Sequence, residues 1–246
     1  MNALGAMATS QDLINWEKHG IVVAQMTYDE FNDIAKLKNK LNEKYNRYNE
    51  HDHLLENRGK KMLLWDKNLI FFPRKINNKL YFLHRIKPDI QIVVAVENLE
   101  ALTPYFWHNY FQNFDSNIVL APKYEHEVSY LGGGCPPIET ADGWLIIYHG
   151  VQDTLKGYVY SACAALLDLE NPAKEIARLP YPLFWPEKEW ELKGEVNNVC
   201  FPTGAALFDD TLYIYYGAAD ERIAYASVSI SELLKELLLN PKKNEK

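Results

Sequence analysis

Three cysteines, Cys135, Cys163 and Cys200, are all that this 246-residue sequence contains, and none stands in a CxxC pair. That spacing excludes a disulfide framework and a CxxC metal site, leaving three reduced thiols in a cytoplasmic protein as the reading. Apolar runs of membrane-spanning length are lacking, and the start, MNALGAMATSQDL, has no basic stretch ahead of a hydrophobic one, so no signal peptide is read. Basic side chains are outnumbered 26 to 33, for a formal charge of −7. A nucleic-acid or anionic-membrane binder needs a basic face to displace counterions, so neither partner is expected, though a small cationic pocket for an anion is compatible. The GxSxG and HExxH signatures are missing, and Gly132–Gly134 lacks the GK[ST] ending of a phosphate loop. Serine-hydrolase, zinc-hydrolase and P-loop chemistry thus have no support, and no residue cluster demands a metal.

What is present is aromatic. Sixteen Tyr, ten Phe and six Trp make up 13% of a chain whose 48% hydrophobic and 24% charged residues are those of a globular protein. Tyr and Trp suit a strand-rich core, and their apolar faces also stack on sugar rings.

Three segments repeat one theme: FFPRKINNKLYFLHR (71–85), CPPIETADGWLIIYHG (135–150) and CFPTGAALFDDTLYIYYG (200–217). Each has a Pro-containing strand, a turn (Asn77-Asn78, Asp142-Gly143, Asp209-Asp210) and an aromatic, β-branched strand, which is a hairpin pattern. Aligned on Leu80, Trp144 and Leu212, they recur at about 64 and 68 residues. A further strand follows each, at 90–99, 157–169 and 222–233. Repeated units of four antiparallel strands predict a β-propeller in preference to a large sandwich. Residues 3–16 read as the last strand and exit of such a unit, so the ring is expected to be incomplete at its N-terminal end.

Residues 28–64 break the pattern. They are highly charged, with Ile34, Leu37, Leu41, Tyr45 and Tyr48 at three- and four-residue spacing, which predicts an amphipathic helical insertion in a single domain spanning 1–246. Ser229–Asn240 predicts a second helix behind a Ser cap.

In a propeller, equivalent positions of successive blades converge on the axis. The sixth positions of the three aligned strands are Arg85, His149 and Gly217; Lys67 opens the hairpin that ends in Arg85. Lys67, Arg85 and His149 together suit a phosphate or carboxylate through charge-assisted hydrogen bonds. Asp220, at the turn after Tyr216, is placed to receive sugar hydroxyls, and Glu125, Glu127 and Glu195 are candidate general bases. The three consecutive glycines are expected to let backbone approach the axis or a ligand closely.

ATSQDLINWEKHG (8–20), LIFFPRKINNKLYFLHR (69–85), GGGCPPIETADGWLIIYHGV (132–151) and NNVCFPTGAALFDDTLYIYYGAAD (197–220) resemble glycoside hydrolase family 130. The resemblance covers most of residues 3–235 and implies a five-bladed propeller carrying an inverting β-mannoside phosphorylase or β-mannosidase. It implies phosphate-binding positions at Arg85 and His149, with Lys67 where the family usually has Arg, and a mannosyl-binding acid at Asp220. Tyr130 stands where the phosphorylases carry a phosphate-contacting lysine. The family's general-acid Asp belongs to a blade preceding residues 8–13. Loss of the lysine tips the expectation slightly toward hydrolysis. Phosphorolysis of a β-1,4- or β-1,2-mannoside is the alternative, with inorganic phosphate as co-substrate and no cofactor. A non-catalytic sugar-binding propeller is the third, because the acid segment is missing. An oligosaccharide is the expected substrate, and a homo-oligomer is an open alternative to a monomer.

Overall fold

The computed structural model describes residues 2–38, 44–45 and 62–242. The chain is mostly β-strand, with a few helices, and its strands form separate antiparallel sheets in chain order. β1 (Ala6–Thr9) and β2 (Glu17–Ile21) form a two-stranded hairpin. β3 (Lys67–Phe71), β4 (Leu80–Arg85), β5 (Ile90–Val96) and β6 (Ile118–Leu120) form the second sheet in that order. The third sheet has the order β11-β10-β9-β7, from β7 (Tyr130–Gly133), β9 (Gly143–Thr154), β10 (Gly157–Leu167) and β11 (Glu175–Arg178), with β8 (Ile138–Thr140) also paired to β9. The fourth contains β12 (Cys200–Phe208), β13 (Thr211–Ala218) and β14 (Arg222–Ser229).

The three predicted hairpins are these sheets' β3–β4, β8–β9 and β12–β13 pairs. Asn77 and Asn78 both have positive φ, as does Asp209, which is the backbone demanded by tight hairpin turns and tolerated by Asn and Asp. Two details differ from the expected four-strand unit. The Gly134–Pro137 stretch splits the first strand of the third sheet into β7 and β8, and the fourth sheet has three strands among the described residues. Residues 3–16 do not act as a lone exit strand, since β1 pairs with β2 across a turn organised by the Asp12 carboxylate, which accepts from the amides of Ile14 and Asn15.

β9 shows why this sequence packs sheet on sheet. Trp144, Ile146 and Tyr148 point to one side and join Leu83, Ile90 and Ile92 of the second sheet. Leu145 and Ile147 point to the other and join Leu212 and Ile214 of the fourth. A strand buried on both faces reads as a continuous apolar run, which is the character of WLIIYHGV.

The second, third and fourth sheets each also hold a buried carboxylate against the fifth position of the aligned strand. In the second sheet, Asp66 meets His84 Nδ1 at 2.8 Å, and His84 Nε2 meets the Tyr110 hydroxyl at 2.7 Å. In the third, Glu127 accepts from the Tyr148 hydroxyl, from the Lys123 and Tyr124 amides at 2.9 and 3.2 Å, and from Arg178 at 3.2 Å. In the fourth, Glu191 accepts from the Tyr216 hydroxyl at 2.6 Å and from the Glu187 and Lys188 amides at 2.8 Å. His84, Tyr148 and Tyr216 lie four residues after Leu80, Trp144 and Leu212, so the clamp repeats with the strands.

The insertion begins with α1 (Tyr28–Lys38). Thr27 and Glu30 form a reciprocal cap: Thr27 Oγ1 accepts from the Glu30 amide at 3.2 Å, and Glu30 accepts from the Thr27 amide at 2.7 Å. Tyr28, Phe31 and Ala35 are buried in α1, and of the expected stripe Tyr45 is buried in the same core and Ile34 packs against it. The predicted Leu41 and Tyr48, and the side chain of Leu37, lie outside what the structure describes. Phe31 meets Phe111 and Phe114 edge-on, at 5.4 and 5.3 Å between ring centroids, which packs α1 against α2 (Pro104–Gln112). The sequence reading missed α2, although Thr103-Pro104 is a helix-start signal: the Thr103 hydroxyl accepts from the Phe106 amide. A single turn, α3 (Glu189–Leu192), carries Glu191, and α4 (Ile230–Leu238) starts at the predicted Ser229 cap.

Glu127→Ala leaves the buried Arg178 short of one carboxylate and three further donors without their acceptor. It is expected to destabilise the chain by about 3 kcal/mol, and Tyr216→Phe by about 1 kcal/mol, read as denaturant-midpoint shifts at constant m-value.

Candidate functional site

The sixth positions face away from the clamps. Arg85 ends β4 and His149 lies in β9, and both are buried. Lys67 is paired with Arg85 across β3–β4 and rests its ammonium over the Trp65 ring at 4.5 Å, half-buried. Tyr130, first in β7, lies beside them, with the Arg85 guanidinium 5.3 Å from its ring centroid and its hydroxyl bonded to that of Tyr160. The His149 ring packs on Phe201, 4.3 Å between centroids. The four residues proposed from sequence as an anion cluster, Lys67, Arg85, His149 and Tyr130, therefore share one neighbourhood.

The glycines explain themselves here. A Cβ on Gly132 would come under 3 Å from Cε1 and Nε2 of His149 and from Asn68 Oδ1, so only glycine lets the imidazole lie on the β7 backbone. Gly133 and Gly134 leave room for Ile70 and for the Ile147 carbonyl. The close approach expected of this stretch is thus made by protein groups. Asn68, which sequence reasoning missed, has positive φ, and its buried Oδ1 has no hydrogen-bond partner among the described residues. Its signal was its place after Lys67 at the start of the hairpin that carries Arg85.

His149 is not the cation that its position suggested. Burial first, and the neighbouring Arg85 second, push its pKa down to about 3, against an opposing hydrogen bond with the Gly133 backbone. At neutral pH it is an uncharged imidazole whose buried Nδ1 has no partner among the described residues. Burial, and then the proximity of Tyr160, raise the Tyr130 pKa, keeping its hydroxyl protonated. Positive charge here comes from Arg85 and the lysines.

The carboxylates separate. Glu127 is the hub of the third-sheet clamp, with both oxygens engaged, which leaves it unsuited to activating a nucleophile. Glu125 is exposed and accepts from Gln152 at 3.1 Å. Glu195 and Asp220 are both exposed, on neighbouring turns linked by the Val196 amide bonding the Ala219 carbonyl. That loop then reaches the aromatic side of the cluster, where the Tyr160 amide bonds the Asn198 carbonyl at 3.0 Å. Ligand atoms of His126, Glu127 and Cys163 lie within 4.8 Å of one another. A metal there would compete with Arg178 and Tyr148 for Glu127, so the group is assigned to the clamp. None of the described helices is long and apolar enough to cross a membrane.

The model of glycoside hydrolase family 130, described as beta-1,4-mannooligosaccharide phosphorylase, matches residues 43–238. The chain belongs to this family. Over 228 residues it is 36% identical to a 1,2-beta-oligomannan phosphorylase of Thermoanaerobacter sp. (strain X514), covering 92% of this chain and 59% of that protein. Over 188 residues it is 35% identical to a beta-1,2-mannobiose phosphorylase of Listeria innocua, covering 76% of this chain and 51% of that protein. The solved beta-1,2-mannobiose phosphorylase from Listeria innocua, in complex with beta-1,2-mannobiose, superposes with a TM-score of 0.67 at 28% identity, over 96% of this chain and 53% of that one. The chain thus spans between half and three-fifths of the length of these family 130 relatives.

Because the folded pKa of His149 lies below the ordinary value of 6.5, the folded state binds fewer protons than the unfolded state between these limits. The contribution of His149 to stability is complete above pH 6.5 and is lost as pH falls toward 3. Comparing unfolding midpoints across this window, His149→Asn is expected to flatten part of the acid slope. In imidazole NMR spectra, the His149 resonance is expected to hold its neutral position down to about pH 4.

Proposed function

We propose that this chain is part of an inverting β-mannoside phosphorylase and that the cluster on Gly132 binds the attacking phosphate. The observation that carries this is a buried arginine facing a neutral, partly unsatisfied imidazole, with Lys67 on the adjacent strand. A dianion finds a guanidinium fork and a point charge there, while uncharged His149 and Asn68 face the same space without adding charge. The names of the relatives point the same way, and they favour phosphorolysis over the hydrolysis that Tyr130 suggested.

In this reading a phosphate oxygen attacks the anomeric carbon from the face opposite the departing sugar. The C1–O bond breaks, a proton is delivered to the leaving oxygen, and the product is α-mannose 1-phosphate with a shortened oligosaccharide. Phosphate is already nucleophilic, so the site needs cations where a hydrolase needs a base, consistent with the commitment of Glu127 to the clamp. Asp220 receives mannosyl hydroxyls. The resemblance puts the acid in a segment preceding residues 8–13. The sheets, each burying a face against the next, are read as blades of a five-bladed propeller in one domain, with residues 28–64 as an insertion. β-1,2-linked mannosides come first among substrates, because that is the linkage in the names of both quoted relatives.

The test is incubation of the chain, alone and extended by a segment carrying the acid that the resemblance implies, with β-1,2- and β-1,4-mannobiose, in the presence and absence of phosphate. Phosphate-dependent release of mannose 1-phosphate is expected, falling about 100-fold in kcat/KM in Arg85→Met. Phosphate-independent mannose release would make the protein a hydrolase. Sugar binding with no product from either form would leave a binding module.

A further inference from the structure

The insertion reaches the turn that follows Arg85. Lys44 and Tyr45 both meet Asp89, which lies in the turn between β4 and β5 and is fully buried. The Lys44 ammonium stands 2.7 Å from one carboxylate oxygen, and the Tyr45 hydroxyl donates to the other. Burial raises the Asp89 pKa, opposed first by Lys44 and then by Tyr45. Burial, and then the nearby Asp89, raise the Tyr45 pKa as well, so its hydroxyl keeps the proton that it donates. The Tyr45 ring is set by edge-on packing against Phe114, 5.1 Å between centroids, in the aromatic core that also receives α1.

The same hydroxyl is joined to the backbone beside Arg85. Gln91 donates to it at 3.3 Å, and the side-chain amide of Gln91 also brackets Ile86. Gln91 Oε1 accepts from the Ile86 amide at 2.8 Å, and Gln91 Nε2 donates to the Ile86 carbonyl at 2.9 Å. Ile86 directly follows Arg85, so the backbone next to the guanidinium-bearing residue is fixed by a side chain tied to the insertion. On its other side the turn is fastened to the third sheet, because the Leu131 amide donates to the Pro88 carbonyl at 2.8 Å. Leu131 precedes Gly132, on whose backbone the His149 ring lies. One turn thus links the insertion, the end of β4 and the start of β7. Hydrogen bonds weaken steeply when misaligned, so a shift at Tyr45 is passed on to both strands.

We propose that Lys44 and Tyr45 are positioning residues of the anion site: by holding the turn at 86–89 they set where the Arg85 guanidinium stands relative to the His149 imidazole. Arg85 and His149 belong to different sheets, and the placement of one sheet against the other depends on contacts such as these. A guanidinium fork loses its advantage over a point charge once it is turned away from the oxyanion it should grip. The insertion thereby takes part in binding through Lys44 and Tyr45, which act on the turn and not on the ligand. The ligand class is a tetrahedral oxyanion, and the inference rests on the phosphorolysis reading, to which it adds two residues from outside the sheets.

The experiment is titration of the full chain with inorganic phosphate by calorimetry, at constant ionic strength set with chloride and well below the melting temperatures. It compares the unaltered chain with Tyr45→Phe, Lys44→Met, Lys44→Arg, Arg85→Met and Ser229→Ala. Tyr45→Phe and Lys44→Met are each expected to weaken phosphate binding about fivefold, whereas Lys44→Arg, which keeps the charge facing Asp89, stays within about twofold. Ser229→Ala removes the cap of α4 and is the control for lost stability: it is expected to lower the melting temperature about as far as Tyr45→Phe and to leave phosphate affinity unchanged. If Tyr45→Phe binds phosphate as tightly as the unaltered chain while Arg85→Met does not, the positioning role is overturned and the phosphorolysis reading stands. Equal weakening in Ser229→Ala overturns it too, since lost stability alone then explains the change. If the unaltered chain binds no phosphate, both fall together.

Discussion

The interaction on which the site depends is the buried carboxylate clamp repeated in the second, third and fourth sheets. Asp66, Glu127 and Glu191 are each withdrawn from water, and each is satisfied by a ring residue at the fifth position of its strand. A carboxylate in that setting is costly unless its lone pairs are filled, and a one-residue slip would remove the hydroxyl or imidazole that fills them. The clamps therefore fix register. Because side chains alternate along a strand, fixing the fifth residue inward turns the sixth, Arg85 or His149, toward the opposite side.

The anion cluster has the complementary electrostatic design. Its imidazole is stripped of charge by burial and by Arg85, so His149 adds no repulsion to Arg85, and Lys67 rests on an aromatic face. The same low polarity that makes His149 neutral strengthens each contact to an incoming oxyanion. Glycine at 132 is the steric condition for this, since any side chain there would take the volume of the imidazole.

Family membership and fold address different parts of the question. The matched region spans residues 43–238, so the second, third and fourth sheets, with all the clamps and the anion cluster, lie inside it. Those parts carry the binding half of the proposed chemistry. Proton delivery to the departing sugar is a separate requirement; of the glutamates read from the sequence as candidate bases, Glu127 is bound up in its clamp, Glu125 accepts from Gln152, and Glu195 stands exposed on a loop.

Periodicity and turn chemistry were enough to place the hairpins, the strand after each, the C-terminal helix, and Arg85 and His149 on equivalent positions, because such signals are local and recur along the chain. α2 was legible at Thr103-Pro104 and went unread, being short and adjoining an apolar strand. Beyond the expected stripe, α1 also buries Tyr28, Phe31 and Ala35, and Phe31 meets Phe111 and Phe114, partners distant in sequence. Long-range packing also decided the site. Glu127 looks like any loop acid until Arg178 and Tyr148 are folded onto it, and His149 looks cationic until its hydration is removed. Sequence by itself determined which residues repeat and which chemistry they are capable of. Tertiary structure alone decided which were charged and which were already engaged, because desolvation and contact between sheets depend on neighbours far away along the chain.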